Sequence, residues 1–417
     1  LALPPPPPRA PLLIPDAERT DMDSLKETVR RKVDELRDEA VGLFQDLVRI
    51  PSFNPPGNEK EVADFCAEIM RKLGMEVDQI EPHPLRVSNR GRLRGSEGTP
   101  VLLFNSHLDT VHPGDESNWT HPPLSGEIHD GHLWGIGSNN MKVGLAAALF
   151  AVRTLKACGV KLRGDILLTQ TADELQFGYK GIKVMVEQGM IEADYGVYTE
   201  SDRPVKVEIG HRGIVLFDVT VYGIGAHTTR QEKGVNAIYQ AMKAVESLRR
   251  MEFTGWEPHA FVPGAPLLSV NRFNAGFSDT ICADRCVIRC DCRTLPGQTT
   301  DNVLTDVRAV LDRLRAEDPG FRADLSVHLE GSPSTIHPDE PIVQALQRAY
   351  EEVRKEPIGI GGVMSTSDAR FLRVEAGIPT AKFCLKSFDS GPNEHQNLED
   401  YIDTIKIYAT LCLNLLA

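Results

Sequence analysis

The sequence has no run of about 18 apolar residues, the length that a membrane-crossing helix needs, so no membrane span is expected. It has no excess of positive charge either: 46 Lys and Arg stand against 59 Asp and Glu, a formal net charge of −13. That excludes a general affinity for nucleic acid or anionic membranes, and leaves a local pocket free to take a small charged substrate. The opening residues lack the basic stretch and apolar run of a secretory signal; they are proline-rich, and 1–20 is expected to be a disordered leader. Cysteine is sparse, with 8 in 417 residues. Nothing in their placement demands disulfides, so a reducing cytoplasm is the expected location. Four of them, Cys282, Cys286, Cys290 and Cys292, share parity and would face one side of a β-strand. A metal cluster would need such a spacing, but small buried apolar side chains are the expected role.

What is present suits a globular chain of two domains, at roughly 100–200 residues each. Apolar residues make up 41% and charged residues 25%. Ser24 and Glu27 form a capping box that predicts a helix over 24–49, with Leu25, Val29, Val33, Leu36, Leu43 and Leu47 near helical period. A second helix carries Val62, Phe65, Ile69 and Leu73, and Gly74 ends it. Strands are predicted at 101–105, 165–169 and 195–199, with a helix after Met141. Their continuously apolar runs suit a sheet covered by helices on both faces. The character changes near Val205. A strand over 214–222, a helix over 236–249, two strands, a helix through Leu304, Val307, Leu311 and Leu314, and a last strand suggest a small α+β, ferredoxin-like sandwich. The expected layout is a large domain in two parts (21–206 and 331–417) interrupted by a small inserted domain (207–330).

In open α/β sheets, functional residues gather beyond the carboxyl ends of the strands. After the strand at 101–105 come His107 and Asp109, which share a face of an extended segment. A metal-binding histidine commonly gives its second N–H to a carboxylate; a polar loop would also accommodate the pair. After the strand at 165–169 comes Asp173-Glu174, either a general base or a solvated loop acid. Glu200 follows the strand at 195–199, Asn139-Asn140 opens a helix, and Glu394-His395 lies near the end of the chain. Five such positions at strand ends exceed what chance supplies.

The motifs Ser-His-Leu-Asp-Thr-Val at 106–111, Asn-Met-Lys at 140–142 and Thr-Ala-Asp-Glu at 171–174 carry a family resemblance. So do His227 with Gly-Val-Asn-Ala at 234–237, Asp-Cys-Arg-Thr-Leu-Pro-Gly at 291–297, Ser-Asp-Ala-Arg-Phe at 367–371, and His395. The chain resembles the zinc-dependent aminoacylase, acetylornithine deacetylase, succinyl-diaminopimelate desuccinylase and glutamate carboxypeptidase metallopeptidases from about Leu43 to Tyr408. The resemblance implies a large zinc-peptidase-like domain with a mostly parallel sheet, interrupted by a dimerisation or lid domain. It implies that His107 and Glu200 hold a first zinc and His395 a second, that Asp109 orients His107, and that Glu174 is the base. It implies a homodimer in which His227 reaches the partner's site to stabilise an oxyanion, and it implies that Arg293, Arg370 and Asn236 bind a small carboxylated substrate.

Two positions depart from that pattern. Asn140 stands where the family has an aspartate bridging two zinc ions, and Leu175 where it has a glutamate ligand. Ile136 replaces a frequent arginine, and an expected asparagine falls at Asp279 or Thr280. A neutral amide is a poor bridge and leucine is no ligand, so one zinc is expected and two are not. The expected activity is hydrolysis of an N-acyl amino acid or a C-terminal peptide-like amide, slowed by the missing second cation. The alternatives are a non-catalytic carboxylate-binding protein and a repurposed enzyme carrying out acyl transfer, lactam formation or isomerisation. His112, His121, His129 and His132 lie outside the family pattern and are expected to be loop residues, any of which would be available as a replacement ligand.

Overall fold

The computed structural model describes residues 16–388 and 391–417. The chain divides into two compact units. One runs up to Ile209 and resumes with Ile336–Gly361 and Ser367–Ala417; the other comprises Gly210–Thr335 with Gly362–Thr366.

The larger unit is built on a sheet whose centre is parallel. Strand Asp165–Thr171 pairs with Val101–His107, which pairs with Tyr195–Tyr198, which in turn pairs with Thr380–Lys382, all parallel. Strands Glu76–His83 and Arg86–Leu93 extend one side in antiparallel fashion, and Val207–His211 extends the other. The central strands Val101–His107 and Asp165–Thr171 are buried at every residue, as their unbroken apolar runs require. Helix Lys142–Ala157 is buried on almost every face, and helix Leu398–Leu416 packs beside it. Gly144 permits a close approach: a Cβ there would collide with the carbonyl of Thr199. That contact brings the start of the helix against the end of the strand leading to Glu200.

The smaller unit has the order strand, helix, strand, strand, helix, strand. Its strands Gly213–Tyr222, Leu267–Ala275, Arg285–Thr294 and Arg322–Gly331 form one antiparallel sheet. The first and third strands lie at its centre, the ferredoxin-like arrangement expected for such a sequence of elements. Val215, Phe217, Val219 and Val221 face the core with Cys286, Cys290 and Cys292. Burial pushes these thiols up to about 11 for Cys286 and about 12 for Cys290 and Cys292. They are packing groups, and Cys282, which precedes the strand, is half-buried. Among the described residues no helix is long and apolar enough to cross a membrane.

The N-terminal reading needs correction. The first helix spans Asp16–Glu35, so Ser24 lies within it and caps nothing, and residues 16–20 are helical where a disordered leader was expected. The rest of that leader lies outside the described residues. The predicted single helix over 24–49 is two, because Leu36 leaves helical geometry before Arg37–Arg49 begins. In helix Lys60–Lys72 the fully buried face is Val62, Ala63, Cys66, Ala67 and Met70, with Phe65 and Ile69 only half-buried beside it.

Candidate active site

The carboxyl ends of the parallel strands bring one cluster together. His107 ends its strand, 1% exposed. Its Nδ1 lies 2.9 Å from the carbonyl oxygen of Asp109 and 3.3 Å from the Asp109 carboxylate. Its Nε2 lies 3.0 Å from Asn140 Oδ1 and 3.8 Å from Glu174 Oε2. In the neutral ring, the form a bound cation would select, an N–H on Nδ1 leaves the Nε2 lone pair aimed into the cluster. Burial disfavours the imidazolium, but the hydrogen bond to Asp109 and the charges of Glu174, Asp109 and Glu200 outweigh it and raise His107 to about 10. Surrounded by three carboxylates, the ring sits where a cation is favoured.

Asp109 has a second task. Its carboxylate accepts from the backbone N–H of Glu174 at 3.2 Å and of Leu175 at 3.0 Å, and from the Asn54 amide at 2.8 Å. It thus fixes the turn that presents Glu174. Burial opposes its charge, but hydrogen bonds from His107, Asn54 and Leu175 hold it below the usual carboxylate range. Asp173, just before Glu174, adopts a left-handed φ of 75° and pairs with Arg86. Arg86 also meets Glu59 at 3.1 Å, so a buried ionic network stands under the turn. Burial, chiefly, raises Glu174 to about 7, where a carboxylate can accept and return a proton near neutral pH.

Glu394, singled out in the sequence beside His395, and Lys382 and Tyr198, which are not, shape the cluster. Glu394 is 4% exposed, and its carboxylate accepts from the backbone N–H groups of Gly137, Asn139 and Asn140 at 3.0, 2.7 and 2.9 Å. It anchors the segment that presents Asn140. Lys382, 1% exposed, places its ammonium 3.5 Å from Glu200 and 3.4 Å from Glu208. Burial disfavours that charge, but the two glutamates outweigh it and hold the amine protonated well above its ordinary range. The Tyr198 hydroxyl, among the same charges, is buried without a hydrogen-bond partner.

Lys382→Met should therefore destabilise the metal-free chain by ~3–5 kcal/mol, the cost of leaving buried carboxylates without their cation. Urea unfolding measures the loss. Added zinc should recover part of it if Glu200 is a metal ligand.

Other expected site residues stand differently. His395 opens a short strand pairing with Trp134, and its ring packs 4.4 Å from Trp134 and 4.8 Å from Phe388 between centroids. Leu175 is half-buried and brings no donor. Arg370 is 4% exposed and gives its guanidinium to the carbonyls of Phe177 and Ser367 and to Asp368, so its donors hold loops together. In the smaller unit, Arg293 forms a two-pronged pair with Asp291 at 2.8 and 3.0 Å and is part-exposed. His227 is exposed, its Nδ1 3.0 Å from the Thr229 hydroxyl. Asn236 caps helix Ala237–Arg249 by accepting from the Ile238 N–H at 2.9 Å. It also lines a cavity of about 450 Å³ with Tyr239, Phe277 and Ile281.

Residues 103–414 match the description of peptidase family M20/M25/M40. An N-formyl-4-amino-5-aminomethyl-2-methylpyrimidine deformylase of Halalkalibacterium halodurans is 26% identical over 407 residues, covering 90% of this chain and 93% of that protein. A succinyl-diaminopimelate desuccinylase of Acidovorax ebreus is 28% identical over 367 residues, covering 84% and 89%. Among solved structures, the aminopeptidase PepT from Bacillus cereus superposes with a TM-score of 0.73 at 22% identity, covering 90% of this chain and 98% of that one. The dipeptidase Dug1p of Saccharomyces cerevisiae gives 0.76 at 13%, covering 93% and 98%. The strand-end cluster thus sits in a fold shared along nearly the full length of these enzymes, and the chain belongs to peptidase family M20/M25/M40, a family of metal-binding hydrolases.

Proposed function

We propose that the chain hydrolyses the amide bond of a small N-acylated, carboxylate-bearing substrate with a single zinc ion. The observation that carries this reading is Glu174, a half-buried carboxylate raised to about 7 and held by Asp109 beside His107 Nε2.

The chemistry of the donors supports one ion. His107 Nε2, Asn140 Oδ1 and Glu200 would hold it, offering one imidazole, one neutral oxygen and one carboxylate, and the partnerless Tyr198 hydroxyl marks unfilled polar space beside them. Three protein ligands and one open position are what a catalytic zinc uses. A second ion is not supported, because Leu175 has no donor and, of the positions the resemblance assigns to that ion alone, His395 is the one with a ligand atom. When bound, zinc supplies Lewis acidity toward the scissile carbonyl and toward water.

The chain's own groups do the rest. Asp109 fixes the His107 tautomer and holds the Glu174 turn. Glu174 takes a proton from the attacking water and delivers it to the departing amine nitrogen. His227, supplied by a second protomer, stabilises the oxyanion. Arg293 meets the substrate carboxylate; Arg370 is already committed to Phe177, Ser367 and Asp368. The two relatives named above, a deformylase and a desuccinylase, support removal of a short acyl group. A panel of N-formyl, N-acetyl and N-succinyl amino compounds tests this, with zinc-dependent release of the free amine expected. No release from any of them contradicts it.

The homodimer belongs to the same proposal. Strand Leu267–Ala275 is an edge of its sheet, and Tyr239, Met242, Phe273 and Phe277 are exposed on the smaller unit. An exposed apolar edge of this kind is a surface for pairing with another chain. Phe273→Lys with Tyr239→Glu should shift the protein from dimer to monomer by light scattering, and should lower activity through loss of the partner's His227. The eight free cysteines, six of them buried, support a reducing cytoplasm. Lys382 favours a second reading, a pocket that supplies its own cation and binds a carboxylated ligand without hydrolysis. Calorimetric binding unchanged by chelator, with no product, would support that reading instead.

A further inference from the structure

We propose that His121, Glu127 and His129 form a separate, solvent-facing site for a divalent first-row transition ion, zinc being the probe. The ligand atoms of these three residues lie within 4.8 Å of one another. His121 Nδ1 and His129 Nε2 both point at the same oxygen, Glu127 Oε2, each at 3.1 Å. Bonds of 2.0–2.1 Å in a tetrahedron put ligand atoms about 3.3 Å apart, so a small outward movement would admit an ion. Two imidazoles and a carboxylate are a donor set that suits zinc and its neighbours.

The scaffold is arranged for this. Glu127 and His129 are two residues apart on strand Glu127–His129, and so face one side of it. That strand pairs with His132–Trp134, with Glu127 opposite Trp134. His121 arrives from the preceding loop and lies against the Trp134 ring at 4.6 Å. The His121 and His129 rings are stacked, 4.1 Å apart and 26° from parallel. Two imidazolium rings in that position would repel each other, so one shared cation answers the carboxylate better than two protons. The hydrogen bonds from His129 and His121 already hold Glu127 below the usual carboxylate range, ready to act as an anionic ligand. A bound ion would tie the loop to the hairpin and fix Trp134, whose other neighbour is His395.

The test is zinc calorimetry on the full chain carrying His107→Ala, which removes the strand-end ligand. About one zinc should still bind. Adding His129→Ala, or separately Glu127→Gln, should weaken that binding by at least 10-fold. Titration with copper(II) should quench tryptophan fluorescence in the His107→Ala chain and lose that effect with either added change. Zinc affinity unaltered by both substitutions, or no zinc bound by the His107→Ala chain, would overturn the proposal.

Discussion

Glu174→Gln is expected to slow amide hydrolysis by about 100- to 10,000-fold, the range that a positioned general base contributes. Glutamine keeps the shape of the side chain and cannot accept the proton of the attacking water. Asp109 holds the turn through the backbone N–H groups of residues 174 and 175, which the substitution leaves in place. The loss should therefore appear in kcat, with KM little changed. The pH profile provides a second signature. With the carboxyl raised to about 7, the wild-type rate should fall as pH drops and the base is protonated, and a cation held at His107 moves that limb lower. The residual rate of Glu174→Gln should lack the limb. Steady-state kinetics across pH on the zinc-loaded protein measure both. A rate unchanged by the substitution would remove Glu174 from the chemistry.

The combined change Asn140→Asp and Leu175→Glu should move the rate the other way, by about 100- to 1000-fold, the scale of one electrostatic contributor to the transition state. Asn140 Oδ1 already stands 3.0 Å from His107 Nε2, so aspartate would bring a negative charge to a position that faces the first ligand. Leu175 is held by its backbone on Asp109, so a glutamate there would start from a fixed turn. Either change alone supplies only half of what a second ion needs. Without metal, the doubly changed site would crowd two further carboxylates against Asp109, Glu174 and Glu200 and should destabilise the chain. Zinc should then raise its melting temperature more than it raises that of the wild type, because ligand binding to the native state adds directly to stability. Differential scanning with and without zinc, together with initial rates, tests both halves.

The strand-end histidine and carboxylates are legible in the sequence because each follows an unbroken apolar run, and topology sends the ends of parallel strands to one place. His107, Asp109, Glu174 and Glu200 are found that way. Of the residues that tune them, Glu394 is singled out as a candidate acid, and Lys382 and Arg86 are not. Lys382 reaches Glu200 from a strand 182 positions later, Arg86 reaches Asp173 across 87, and Glu394 reaches Asn140 across 254. No local period or spacing records such pairings. Lys382 ends the buried strand Thr380–Lys382 and runs directly into the apolar Phe383-Cys384-Leu385, which is the local signal for it. The capping-box reading of Ser24 failed for the converse reason: the Ser-x-x-Glu pattern is local and recurs inside helices, and the chain is already helical from Asp16. The parity of Cys286, Cys290 and Cys292 did mark one strand face, and the core behind it shows that the face is apolar packing.

Zinc content of the His129→Ala chain, which lacks the solvent-facing site, tests the single-metal reading most directly. About one equivalent of zinc, lost on adding His107→Ala and rising to about two with Asn140→Asp and Leu175→Glu, is the expected result. Retention of no zinc by the His129→Ala chain, or of two equivalents without the restoring changes, would contradict it.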